Sequence, residues 1–313
     1  MAPTRKRPYR ILIPLANPRT ARDLVRIGAG LANGRPTEIT ALGIVEVPEG
    51  VSLSEGATQA RTARRLLQRV LGFGDEEGVE LRTLVRIGRH AADGVIEAVG
   101  EEASDLVLFG WGGPPSTAQA ARAEAEATEF ALAGRRGGPR PVFSPTIDAV
   151  VRESPCDIAV VKQRGLENVR SILVPVRGGP HAELAMRIAR DLSKRFKAKV
   201  VVLHIVPAGI GERAIARQQA AVDAFVREHA GMRRASGMIA EANSVRSAII
   251  KEAARHDLVI MGASAHPTNA APDGRYLFGT LAESVASKAK PTVIVVKTRQ
   301  AVGLATFEQL RAS

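Results

Sequence analysis

The chain repeats itself. The run ILIPL at 11–15 returns as ILVPV at 172–176. Each opens the same phrase: an apolar segment, an amphipathic segment, then a β-branched segment, EITALGIVEVP in one case and VVVLHIVP in the other. Further on, SDLVLFGWGG (104–113) matches HDLVIMGASA (256–265), and TIDAVVRESPCDIAVVK (146–162) matches LAESVASKAKPTVIVVK (281–297). Landmarks that recur in one order mean two copies of one folding unit, and this must be settled before any motif is weighed. The seam falls in the short segment QRGLENVR, 163–170. We therefore expect a first domain over 1–165, a second over 166–297 and a tail over 298–313. At 313 residues the chain has the length for two domains of about 150 each.

Within each copy, short apolar runs alternate with helix-period segments. In the second copy strands are expected near 171–176, 199–206, 236–240, 257–262 and 292–297, with helices near 180–195, 211–230, 244–255 and 277–288. Strands that are apolar along their length and separated by helices make a parallel sheet covered on both faces. Right-handed crossovers then give an α/β fold of two tandem doubly wound domains, each a five-stranded parallel sheet in the order 3-2-1-4-5. Such sheets bind ligands beyond the carboxyl ends of the strands, where the order reverses between strands 1 and 4. Residues 114–141 interrupt the first copy just after its fourth strand, with an Ala/Glu-rich middle flanked by Pro and Gly, and read as an insertion or lid. The tail reads as a terminal helix.

Composition narrows the partners. The net charge is +12, which raises nucleic acid as a partner, but residues 1–165 hold 22 Lys+Arg against 20 Asp+Glu while 166–313 hold 22 against 12. The surplus belongs to the second copy, scattered along helical segments and not interleaved with aromatics, as on a solvated surface. No run of about 18 uncharged apolar residues occurs, so no membrane-spanning helix is expected. The basic start MAPTRKRPYRILIPL lacks the pattern of a signal peptide. Cys156 is the single cysteine, which excludes an internal disulfide and fits a reducing cytoplasm.

The landmarks ILVPV, LHIVP, DLVIMG and PTVIVVK, with a Gly-Thr pair before the last helix, resemble the universal stress protein family, here as a tandem pair. In this family strand 5 often pairs across a dimer interface, so the resemblance implies that the fifth strands, CDIAVV and TVIVV, pair with each other inside the chain and protect both edges; were they left exposed, a homodimer would supply the pairing. The resemblance also implies a nucleotide site of a particular form. Members that bind ATP place an acidic residue just after strand 1, then Gly-x2-Gly-x9-Gly-Ser/Thr after strand 4. The glycines let the backbone approach phosphates, which amides at a helix N-terminus hold. Carried onto the second copy, this makes Pro175, Arg177, Gly178, Gly262, Ala265, Gly279 and Thr280 the candidate nucleotide-binding residues. Two departures stand out: Arg177 replaces the acidic residue, and 13 residues separate Ala265 from Gly279. In the first copy Ala16 takes the acidic position, with Asn17 beside it. Gly110 and Gly113 keep the first spacing, but Ser144-Pro145 stands in place of Gly-Ser/Thr. Proline has no amide to offer, so Asn17, Gly110 and Gly113 form the weaker site.

Other chemistry-bearing residues read as structural. His181 and His266 fall near the expected crevice of the second copy, but no carboxylates accompany them at a matching spacing, so no metal is expected. His204 reads as a partly buried histidine, Cys156 as a small packing residue, and Trp111 as covering either a ligand or a hydrophobic patch. No Ser-His-Asp order or P-loop is present, and no general base or metal clamp is visible. The resemblance thus implies a cytoplasmic regulator that takes ATP or AMP in its second domain, not an enzyme beyond slow ATP hydrolysis. The alternative is a nucleotide-independent module acting by protein contact, similar to the cytoplasmic tails of amino-acid permeases and cation antiporters.

Overall fold

The computed structural model describes residues 7–32, 34–52, 56–111, 144–231, 234–263 and 277–299. The insertion at 114–141, residues 300–313 of the tail, and the candidates Gly113, Ala265 and His266 lie outside them. The first half runs β1 (Tyr9–Pro14), α1 (Pro18–Leu31), β2 (Thr37–Glu46), α2 (Gly56–Glu77), β3 (Leu81–Gly88), α3 (Ala91–Glu101), β4 (Leu106–Gly110), α4 (Pro145–Glu153) and β5 (Asp157–Lys162). The second runs β6 (Ser171–Pro175), α5 (Pro180–Phe196), β7 (Lys199–Val206), α6 (Glu212–Ala230), β8 (Ala235–Glu241), α7 (Val245–Ala253), β9 (Leu258–Gly262), α8 (Thr280–Lys288) and β10 (Thr292–Lys297).

All these strands join one sheet in the order β3-β2-β1-β4-β5-β10-β9-β6-β7-β8. Each half keeps the expected order 3-2-1-4-5 with parallel pairing. The two halves meet where β5 and β10 run antiparallel, with Val160 opposite Val295 and Ile158 opposite Lys297. This is the expected intramolecular pairing. It places the carboxyl end of the second half's sheet beside the start of β5, so the two crevices open at opposite ends of one continuous sheet.

Period-two alternation sorts the strand residues between two cores. Ile11, Ile13, Ile172, Val174, Ile294 and Val296 face the layer of α1, α2, α5 and α6. Leu12, Leu173, Val293 and Val295 face the layer of α3, α4, α7 and α8. Both cores run through both halves. At about 1.5–3 kcal/mol for each fully buried aliphatic side chain, burial on the two faces is the main force holding the halves together.

Where α1 meets α5 the approach is close. A β-carbon on Gly30 would lie 2.5 Å from Leu192 Cδ2. Around that contact, Arg195 bonds Glu77 at 2.8 Å, Arg35 pairs with Asp191 at 3.6 Å, and the Arg26 guanidinium lies over the Phe196 ring.

Candidate functional site

The crevice of the second half is built by two neighbouring parallel strands. β6 ends at the buried Pro175, and Val176 continues the pairing by donating its N–H to Leu203 O at 2.8 Å. Arg177 is exposed. The chain then reverses through Gly178 and Gly179, at φ 97° and 85°, a left-handed pair that a side chain would strain. Gly179 is the N-cap of α5 and Pro180 opens it; no side chain caps that end.

β9 ends at Gly262. A β-carbon there would lie 2.7 Å from His181 Cβ and 2.8 Å from the His181 carbonyl carbon, so the strand end is seated against the first turn of α5. The absent side chain of Gly262 thus serves packing between strand and helix, whatever else it admits. Gly279, at φ 87°, is the N-cap of α8, again without a side-chain cap, and Thr280 is the first helical residue. Phe278 is completely buried and anchors the entry to that helix. Glu283 accepts the Phe278 N–H at 3.1 Å, and its burial pushes its carboxyl above the usual carboxylate range.

His181 is buried and hydrogen-bonded. Its Nδ1 accepts the Thr298 N–H at 3.1 Å. Burial, then the Lys297 charge, holds its pKa below the ordinary histidine value, with Asp157 opposing. Thr298 Oγ1 donates to Asp157 Oδ1 at 2.9 Å, Arg299 N–H to the same oxygen at 3.1 Å, and Arg187 to Asp157 Oδ2 at 2.8 Å. Lys297 Nζ reaches the Val151 carbonyl near the end of α4, at 3.3 Å, and burial pushes its pKa down. In the sequence, the trace of this cross-half network is that both fifth strands end in Val-Val-Lys.

The first half is built differently at the same places. Asn17 Oδ1 accepts the Arg19 N–H at 2.9 Å, and Ser144 Oγ accepts the Ile147 N–H at 3.4 Å. Asn17 and Ser144 are the N-caps of α1 and α4, and Pro18 and Pro145 follow them. Gly110 has room for a β-carbon, its nearest neighbours being Leu24 and Thr20 at 3.6 Å. Trp111 is buried in the core shared with α4, its backbone N–H donating to Val161 O at 2.8 Å and Lys162 Nζ lying 5.5 Å from its ring centre. Of the two readings for Trp111, it covers a hydrophobic patch. His204 is buried with Nδ1 3.0 Å from Val176 O, and Cys156 is buried with Sγ 3.2 Å from Ser154 Oγ. Among the described residues no three His, Cys, Asp or Glu side chains form a metal-holding group, and no helix is long and apolar enough to cross a membrane.

Comparison with known proteins agrees with this architecture. The family model described as the universal stress protein family matches residues 9–162 and 168–297. The Na(+)/H(+) antiporter NhaS5 of Synechocystis sp. is 25% identical over 213 residues; the match covers 66% of this chain and 27% of the antiporter. The chain thus spans about a quarter of that relative's length. A universal stress protein from Archaeoglobus fulgidus superposes with a TM-score of 0.61 at 16% identity, covering 92% of this chain and 96% of that one. The cytoplasmic domain of a prokaryotic cation chloride cotransporter superposes with a TM-score of 0.56 at 15% identity, covering 94% of this chain and 96% of that one. Those likenesses bear on the fold. Together with the doubled strand order and the family match over both halves, they place this chain in the universal stress protein family, as a tandem member.

Proposed function

We propose that the chain is a cytoplasmic regulatory module that takes an adenine nucleotide, ATP or AMP, in the crevice of its second half. One observation carries the reading. The helices that open onto the two crevices are capped in opposite ways. In the first half Asn17 and Ser144 satisfy the end amides of α1 and α4. In the second half α5 and α8 begin at Gly179 and Gly279, without a side-chain cap. Open amides at a helix start, with the positive end of the helix dipole behind them, suit a phosphate. Pro175, Arg177, Gly178, Gly262, Gly279 and Thr280 are the residues assigned to this site, with Ala265 in the segment between. Arg177 then supplies a cation toward phosphate where an acidic contact is lost. Asn17, Gly110 and Gly113 stay the weaker candidates, since Asn17 and Ser144 already serve the ends of α1 and α4. The module senses and does not turn over substrate; no residue is assigned a catalytic role.

Calorimetry of the purified chain with ATP and AMP, repeated on Gly279→Trp, tests this. Micromolar binding that disappears in the variant supports the reading. Absence of heat with folded protein removes the nucleotide.

The second reading is a nucleotide-independent module that acts by contact with a membrane transporter, an amino-acid permease or cation antiporter. It is favoured by the likeness to an antiporter and to a cotransporter's cytoplasmic domain. Co-purification with a transporter encoded beside this chain, undiminished in Gly279→Trp, supports it.

A further inference from the structure

The first turn of α5 is held without slack between the two halves. On one side it abuts β9: the Cβ, carbonyl carbon and carbonyl oxygen of His181 are the three atoms closest to where a Gly262 β-carbon would sit, at 2.7, 2.8 and 2.9 Å. On the other side its ring holds the Thr298 N–H. Thr298 in turn holds Asp157, the first residue of β5 and part of the other half. One and a half turns further along α5, Arg187 grips the second carboxylate oxygen of the same Asp157. The start of the helix that opens onto the second crevice is therefore fastened to Asp157 of the first half by two routes, in addition to the contacts of its later turns with α1 and α2.

We propose that His181, Thr298 and Asp157 form a link through which a change at the second crevice is felt in the first half. Its regulatory meaning rests on the reading of that crevice as a ligand site; the link itself rests on the contacts above. A ligand seated on the start of α5 touches the turn that carries His181. Movement of that turn shifts the imidazole, and the Thr298 N–H loses its acceptor. Thr298 then holds Asp157 less firmly, and the start of β5 loosens by that share while Arg187 and the Arg299 N–H keep their hold on the carboxylate. His181 is a positioning residue in this scheme, since it acts through Thr298. The equivalent strand start in the second half is held without a histidine: Thr292 Oγ1 accepts the Arg164 N–H and donates to Gly165 O, and the neighbouring Gln163 side chain donates to Thr20 O in the first turn of α1. As an equilibrium coupling, the His181 link is felt equally from either end.

The protein carries its own reporter. Cys156, the single cysteine, immediately precedes Asp157 and is 3% exposed. Its reaction with 4,4′-dithiodipyridine in native buffer reads local opening at the start of β5. The expected result is a Cys156 labelling rate raised roughly five-fold by Thr298→Val, the equivalent of one net hydrogen bond. Gly262→Ala, which drives a methyl into the His181 turn from the crevice side, should raise it by a similar factor. The two together should do no more than Thr298→Val alone, because the link is already cut. Val226→Ala, a core truncation in α6 away from the link, serves as control and should leave the rate unchanged in native buffer. If Gly262→Ala fails to fold, His181→Ala makes the same prediction by deletion. A rate at the level of the native chain in Thr298→Val, or an equal rise in Val226→Ala, overturns the link. ATP is then added to the native chain. Heat of binding with no change in Cys156 labelling shows that the link does not carry occupancy and overturns the proposal. A response to Gly262→Ala with no heat from ATP upholds the link and removes only the nucleotide.

Discussion

Val160 and Val295 stand opposite each other in the antiparallel ladder at the centre of the sheet, and both are fully buried. They belong to the same core, between strands from both halves and the helices α4 and α8. The pair sits in the ladder and the core that join the two halves. Val295→Asp places an unpaired charge there, with no partner in reach. The expected cost is more than about 4 kcal/mol, the range reserved for buried uncompensated charge. Urea unfolding followed by tryptophan fluorescence, which reports Trp111 in the first half, and by circular dichroism should coincide in the native chain. In Val295→Asp the two should separate. Coincident, unshifted transitions would count against β5–β10 pairing as the junction.

The second prediction concerns pH. The His181 Nδ1 accepts a hydrogen bond and its folded pKa is lowered, chiefly by burial. In the unfolded chain the ring titrates near 6.5. Between that value and the lower folded pKa the unfolded state holds the extra proton, so stability falls as pH drops through about 6.5 and levels off below the folded pKa. His181→Phe should flatten that part of the profile. Urea midpoints between about pH 5 and 7.5 check this, and a parallel profile in the variant would assign the dependence elsewhere.

The third follows from the helix caps. Asn17→Ala and Ser144→Ala each remove an acceptor from a helix start in the first half and should cost about 1 kcal/mol apiece. In the second half there is no cap side chain to delete at α5 or α8. Gly279→Ala should also destabilise, by about 1 kcal/mol, for a different reason: a β-carbon at φ 87° is strained. Thermal melts in added phosphate separate the two mechanisms. Phosphate should stabilise the native chain, and equally so in Asn17→Ala and Ser144→Ala, because the proposed anion site belongs to the second half.

The fold was legible because the residues that specify it are local. Alternation in ILVPV and TVIVV puts successive side chains on opposite faces, and repetition of the whole phrase doubles the unit. Pairing of the fifth strands was expected through the family resemblance, and the structure shows it, two apolar edges of one chain protecting each other. The site was less legible. The resemblance makes Gly262 a phosphate-contact candidate; the structure adds that its missing β-carbon makes room for His181, 81 positions earlier. Nothing local in His181 announces that its partner is Thr298, or that Thr298 serves Asp157. Such bonds depend on the antiparallel junction, which brings the end of β10 to the start of β5. The caps Asn17 and Ser144 could have been read, because Asn-Pro and Ser-Pro before a helix are self-sufficient starts.

The crossing of α1 over α5 supplies the last test. Gly30 and Leu192 meet there, with no room for a β-carbon: 2.5 Å to Leu192 Cδ2, and Leu192 itself fully buried. Gly30→Ala therefore faces two opposing terms. Alanine favours the helix over glycine by about 1 kcal/mol, but overpacking costs about 1–3 kcal/mol. Steric cost should win, because Arg195 Cβ and Cγ, at 3.6 Å, wall the other side and leave Leu192 little freedom. Leu192→Ala alone should cost about 2–5 kcal/mol through the cavity it leaves. The double variant should be more stable than the sum of the two predicts, since the new methyl enters the vacated space and keeps its helix benefit. Urea midpoints of the four proteins close the cycle. Strict additivity would mean that the two helices do not touch at this pair.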